Sequence, residues 1–225
     1  MPEKTNGEVQ YQDAIQLIRA RGHERLGLMS SWAYLDDPKR LSFTFARYKF
    51  VSKMLSGCQR VLEVGCSDAF FSRVVRQEVQ HLTAVDFDAD FVEDARARGS
   101  DRWPIEVRMH DMLKGPVEGS FDGAYSLDVL EHIAPSEEDK FLSNLTATLE
   151  PHATLIIGTP SLQSQAYASA HSKIGHVNCK DQRELKRVLG NYFYNVYAFS
   201  MNDEVVHTGY HAMAHYNLVL CCSKR

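Results

Sequence analysis

Apolar and polar positions change period along this chain. Between residues 58 and 160, short apolar runs alternate with stretches of helical period. The runs at 60–65, 81–86, 104–109, 121–127 and 153–158 predict strands, and 69–79, 89–98 and 136–149 predict helices between them. Alternation of this kind predicts an α/β fold with a parallel sheet and helices on both faces. Upstream, residues 9–30 predict a helix with apolar positions at Ile15, Leu17, Ile18, Leu26 and Leu28, open to a break at Gly22. Ser31 to Pro38 reads as a turn-rich link. A second helix, 41–55, carries Phe43, Tyr48, Val51, Met54 and Leu55 and stops at Gly57. Downstream lie a predicted helix at 181–190 and strands at 193–200 and 214–222. The stretch 159–180 has the length of a lid or substrate loop.

Two motifs carry chemistry. In Arg60-Val61-Leu62-Glu63-Val64-Gly65-Cys66-Ser67-Asp68-Ala69, a buried strand runs into a tight glycine turn with an acid, Glu63, in its apolar run. In Thr83-Ala84-Val85-Asp86-Phe87, a second strand ends on an acid 23 residues after Glu63. That spacing fits a glycine turn followed by a ribose-binding carboxylate. Small residues let the backbone approach a ligand, Asp86 accepts ribose hydroxyls, and Phe87 offers a face to adenine. Asp68 places negative charge where a dinucleotide would put its pyrophosphate. The expected ligand is therefore a nucleoside with positive charge and no phosphates.

These motifs resemble the class I S-adenosylmethionine-dependent methyltransferases. Val61 to Ala69 is similar to their first motif, Val-Leu-Asp/Glu-x-Gly-x-Gly-x-Gly, with Ser67 and Ala69 in place of the second and third glycines. Val85-Asp86 matches the ribose acid and His110-Asp111-Met112 the position after the third strand. Phe121 to His132 matches the fourth motif, and Leu149 to Pro160 the fifth strand, with His152-Ala153 where Gly-Gly is usual. The matches keep the family's order over residues 58–160. The resemblance implies a Rossmann-like methyltransferase sheet, mostly parallel with a C-terminal antiparallel hairpin. It implies S-adenosyl-L-methionine as cofactor, held by Glu63, Gly65, Cys66, Ser67, Asp86, Phe87, Asp111, Met112 and Leu127. Residues 1–57 are then expected as a helical extension capping the acceptor pocket, and 58–225 as the cofactor-binding domain.

Composition narrows the partners. The net charge is −4 with 24% charged residues, which disfavours nucleic acid as the main partner. The segment Met1 to Gln10 is polar, without the apolar core of a signal peptide, and no run reaches the ~18 apolar residues of a membrane span. Five cysteines without Cys-x-x-Cys spacing fit reduced thiols in a cytoplasmic protein. A monomer or homodimer acting on a small molecule is expected.

The acceptor side is expected just beyond the fourth strand. Asp128 and His132 are four apart and would share a face of a helical turn. His176 lies in the suspected lid, with His171 before it. The ubiquinone-biosynthesis type of small-molecule O-methyltransferase has a similar Glu-His after strand four. Asp128, His132 and His176 are therefore the candidate catalytic residues, as base or as ligands of the acceptor. With Glu131 they also make a two-carboxylate, two-histidine set of the kind that binds Mg²⁺ or Mn²⁺; the small-RNA 2′-O-methyltransferases are similar there. Whether a metal is used is left open by the sequence. His207, His211 and His215 are spaced by four, but Gly209 and β-branched neighbours favour a loop without metal. Trp32, Tyr34, Phe45 and Tyr48 are expected to pack between the N-terminal helices and the sheet. The activity expected is O-methylation of a small polar metabolite, such as a sugar or surface-polysaccharide precursor. Alternatives are a non-catalytic methyltransferase-like binding protein and a metal-dependent RNA 2′-O-methyltransferase.

Overall fold

Eight strands form one sheet in the order β3-β2-β1-β4-β5-β8-β6-β7. A computed structural model describes residues 8–225; the first seven residues of the expected N-terminal extension lie outside the described residues. The strands are β1 (Arg60–Val64), β2 (His81–Asp86), β3 (Glu106–Met109), β4 (Phe121–Leu127), β5 (Leu149–Pro160), β6 (Phe193–Asn202), β7 (Val205–His207) and β8 (Tyr216–Lys224). The first five run parallel, while β8 is antiparallel to β5 and to β6. This is the Rossmann-like arrangement with its antiparallel close. The short edge strand β7 has no counterpart in the sequence-based expectation.

Side-chain alternation divides the core into two layers. Leu62, Ala124, Leu155 and Val219 face α6 (Glu138–Ala147) and α8 (Gln182–Leu189), where Leu142, Leu145 and Leu185 are fully buried. Val61, Tyr125, Ile156 and Leu218 face α3 (Lys39–Met54) and α4 (Ser72–Arg76), where Tyr48, Val51, Leu55 and Val75 pack. Helix α5 (Ala89–Ala97) covers β2 and β3, capped by the Asp88 carboxylate, which accepts from the Asp90 amide.

Three expected elements are corrected. The helix at 9–30 is instead α1 (Gln12–Arg21), ended by Gly22 at φ +84°, followed by a separate α2 (Leu28–Asp36). The expected link at 31–38 is therefore mostly helix; it stops where Asp37, extended ahead of Pro38, leaves helical space. The helix at 69–79 shrinks to α4, because Ala69 at φ +52° cannot belong to it. Ile15, Leu17 and Ile18 of α1 are exposed, not core. Of the expected aromatic group Tyr48 is buried, while Trp32, Tyr34 and Phe45 stay partly exposed. The 159–180 stretch holds a 3-10 turn at Gln163–Tyr167 and α7 (Ala170–Gly175). All five cysteines are free, and no helix among the described residues is long and apolar enough to cross a membrane.

Candidate cofactor and acceptor site

The carboxyl ends of β1, β2 and β4 meet around the Gly65 turn. The amides of Gly65 and Cys66 both donate to the Val85 carbonyl, at 2.8 and 3.1 Å. Asp86, at the end of β2, accepts from the Ser67 amide through Oδ2 (2.8 Å) and from the Asp88 amide through Oδ1 (3.0 Å). Each oxygen keeps lone-pair capacity for a ribose hydroxyl. Ser67 and Ala69 hold φ of +48° and +52°, so the residues replacing glycine still adopt left-handed backbone. That strain, about 1 kcal/mol per residue, is stored at the loop. Phe87 is 74% exposed beside Asp86, with its ring open to a ligand. Asp111 Oδ1 accepts from the Leu113 amide (2.9 Å), and Met112 and Leu127 are buried alongside.

Asp68 does not supply pocket charge. It is 3% exposed, and its carboxylate accepts from the Ser30 amide (2.8 Å) and the Ser30 hydroxyl (3.1 Å). It thus caps α2 from outside the helix, in place of Gly27, which has no side chain to do so. Gly27 is pressed so close that a Cβ there would lie 2.2 Å from Asp68 Cγ. Asp94 accepts from the Leu28 amide at 3.2 Å. Two carboxylates at one helix N-terminus oppose its positive dipole end.

Glu63 lies under the turn on the α3 face, 1% exposed, with Oε1 accepting from the Tyr48 hydroxyl at 2.8 Å. Burial pushes its carboxyl up to about 7, against hydrogen bonds that favour the anion. The folded chain therefore holds this proton in a range where the unfolded chain, with an ordinary value of 4.5, has lost it. Stability from this group is complete below pH 4.5 and falls as pH rises toward 7. Glu63→Gln is expected to remove that slope. The variant should match wild type near pH 5 and exceed it by about 2–3 kcal/mol at pH 8, read from urea unfolding at both values. A constant difference at the two pH values would contradict a buried, protonated Glu63.

Past β4 the chain turns sharply. Asp128 adopts φ +57°, and its amide donates to the Gly158 carbonyl at 2.9 Å. Leu130–His132 is a single 3-10 turn, so Asp128 and His132 do not share a helical face as their spacing suggested. Asp128 instead accepts from Arg47 Nη1 of α3 with both oxygens, at 2.8 and 3.0 Å. Glu131, His132 and His176 come together, with one ligating atom of each within 4.8 Å of the others. The Glu131 carbonyl accepts from the Val177 and Asn178 amides, which ties the lid to this turn. Glu131 is 1% exposed and its Oε2 has no partner; burial, then the Asp128 charge, pushes its carboxyl well above the usual range.

The histidine tautomers follow from their partners. His132 Nδ1 faces the Gly175 carbonyl and His176 Nδ1 faces Gln165 Oε1, each at 2.9 Å. Gln165 Nε2 itself donates to Ser161 O and Ser164 Oγ, which fixes the amide orientation. Both Nδ1 atoms therefore carry the proton, and both Nε2 atoms keep a lone pair. Burial, then the neighbouring His132, lowers His176 below its ordinary value and keeps it neutral. His207 lies on β7, bonded to Asn202, and His211 sits in a separate 3-10 turn. Among the described residues, Glu131, His132 and His176 are the one metal-capable group.

A methyltransferase-domain family profile matches residues 61–152, the stretch that holds β1, the Gly65 turn, Asp86 and the Glu131-His132 pair. Residues 61–152 thus carry a methyltransferase domain. The domain is 31% identical over 112 residues to an uncharacterized methyltransferase of Mycobacterium tuberculosis, covering 48% of this chain and 55% of that protein. A ubiquinone biosynthesis O-methyltransferase of Xanthomonas oryzae is 28% identical over 137 residues, covering 60% and 54%. The chain thus spans about half the length of the curated relatives it matches. The methyltransferase fold also superposes on the N-methyltransferase NodS of Bradyrhizobium japonicum, solved with S-adenosyl-L-homocysteine, at a TM-score of 0.62. That match has 17% identity over 87% of this chain and 92% of that one.

Sequence reasoning missed several residues that pack around these motifs. Val129 packs onto the first-motif turn: a Cβ on Gly65 would meet its Cγ2 at 2.2 Å. Arg47 reaches Asp128 from α3, Tyr48, expected only as packing, donates to Glu63, and Tyr216 enters from β8. A polar residue on a helix, or an aromatic at a strand start, carries no local signal of such reach.

Proposed function

We propose that the protein transfers the methyl group of S-adenosylmethionine to an oxygen of a small polar acceptor. The observation that carries this reading is the histidine pair, with both Nε2 lone pairs free, which His132 and His176 form just past the carboxyl end of β4. The sulfonium already activates the methyl group, so the protein's main contribution is alignment, worth several kcal/mol. The acceptor oxygen attacks the methyl carbon in line, the carbon–sulfur bond breaks, and the sulfonium becomes a neutral thioether. The hydroxyl proton passes to Nε2 of His176 or His132. The Nδ1 bonds to Gln165 and Gly175 stabilise the imidazolium that results.

Glu131, His132 and His176 also fit a divalent cation. Two imidazoles with their outer nitrogens bonded to oxygens, and a buried carboxylate oxygen without a partner, are the arrangement such ligands adopt. A bound cation would supply Lewis-acid polarisation of an acceptor oxygen. A hydroxylated metabolite, such as a sugar precursor, suits either use of the pair.

His176→Ala is expected to lower methyl transfer about a hundredfold while leaving S-adenosylhomocysteine affinity within about twofold. The assay is label transfer from radiolabelled S-adenosylmethionine to a panel of sugars, phenols and hydroxy acids, with and without Mn²⁺. An equal fall in transfer and in cofactor affinity would assign His176 a structural role.

A further inference from the structure

We propose that Arg47 is a positioning residue of the transfer site, acting through Asp128; this rests on the cofactor reading above. Arg47 is 8% exposed on α3 and reaches from the N-terminal helices into the end of β4. Burying a guanidinium is costly, and an apolar side chain of similar size would fill the same space at less expense. Its placement is tightly defined. The guanidinium carbon lies 3.7 Å from the centroid of Tyr216 and 5.1 Å from that of Phe43. Its Nη1 donates to both Asp128 oxygens, while the buried Nε has no partner. The aromatic seat and Asp128, not a full set of hydrogen bonds, fix this side chain.

What Arg47 holds is a strained residue. Asp128 is the first residue beyond β4 and sits at φ +57°, a conformation that persists in a non-glycine residue only when its surroundings impose it. Its direction decides two neighbours. Val129 follows at once and presses on Gly65 of the cofactor turn. Glu131 follows three residues on, at the acceptor end. Asp128 is thus the joint between the cofactor and acceptor halves, and Arg47 is the side chain that sets it. In this role α3 is part of the transfer site as well as of the core beneath it.

The test is a double-mutant cycle on S-adenosylhomocysteine binding, by titration calorimetry of the full chain. Arg47→Met and Asp128→Asn are each expected to weaken binding about tenfold, and the double variant also about tenfold. Arg47→Lys, which keeps the charge but not the planar seat, should restore unfolding midpoints more than affinity. Additive loss of about a hundredfold in the double variant would overturn the proposal. So would Arg47→Met with lowered stability and unchanged affinity, since a purely structural residue behaves that way. If wild type bound no S-adenosylhomocysteine, the cofactor reading would fall first. The same cycle run on urea unfolding would then decide separately whether Arg47 holds Asp128, with additivity counting against it.

Discussion

Asp86→Ala is expected to weaken S-adenosylhomocysteine binding by about 3 kcal/mol, roughly a hundredfold. Two losses combine. The ribose hydroxyls lose a charged acceptor, and the Ser67 and Asp88 amides lose the carboxylate that holds the loop in shape. Hydrogen bonds to a charged partner are worth about 1.5–3 kcal/mol each when the partner is removed. Asp86→Asn keeps one carbonyl acceptor and should fall between. Titration calorimetry reads both variants, and unchanged affinity in Asp86→Ala would move the ribose site away from β2.

Gly65→Ala is expected to cost about 3 kcal/mol of folding stability, with cofactor affinity lost as well. The residue holds φ +76°, where a side chain adds about 1 kcal/mol of strain. The new Cβ would also stand 2.2 Å from Val129 Cγ2. Val129 cannot retreat easily, because Leu130 beside it is fully buried and Asp128 before it is held by Arg47. Overpacking of this kind costs about 1–3 kcal/mol. Val129→Ala in the same chain should recover the packing part and leave the strain. Urea unfolding of the single and double variants separates the two, and a Gly65→Ala midpoint equal to wild type would show that the turn tolerates a side chain.

The central strands were legible because their signal is local. The centres of β2 and β4, Leu82 to Val85 and Gly123 to Ser126, are short and uncharged, and the observed bounds 81–86 and 121–127 match the expected ones. The ordered series of acids at strand ends was legible for the same reason. What escaped the sequence depends on distant partners. The helix α2 starts at Leu28 behind Gly27, which has no side-chain acceptor, because the capping carboxylate is Asp68, some forty residues on. Locally, therefore, 31–38 has the composition of a link and Asp68 has the position of a pocket charge. The four-residue spacing of Asp128 and His132 means a shared face only in a helix, and the left-handed Asp128 ends that premise. Arg47 sits among other polar residues of an amphipathic helix, and nothing within α3 distinguishes it from a solvated cation. His132 and His176 were both visible as candidates. Their meeting depends on Glu131 accepting from Val177 and Asn178, a tie between backbone groups that no side-chain pattern encodes.

The most direct test of the cofactor site is calorimetric titration of the wild-type chain with S-adenosylmethionine and S-adenosylhomocysteine. One site per chain with micromolar affinity for both, about −8 kcal/mol, is the result this account requires. It would mean that left-handed Ser67 and Ala69 form a working loop in place of glycines. Absence of heat with both nucleosides, in a chain shown to be folded, would contradict the account and leave a methyltransferase fold without its cofactor.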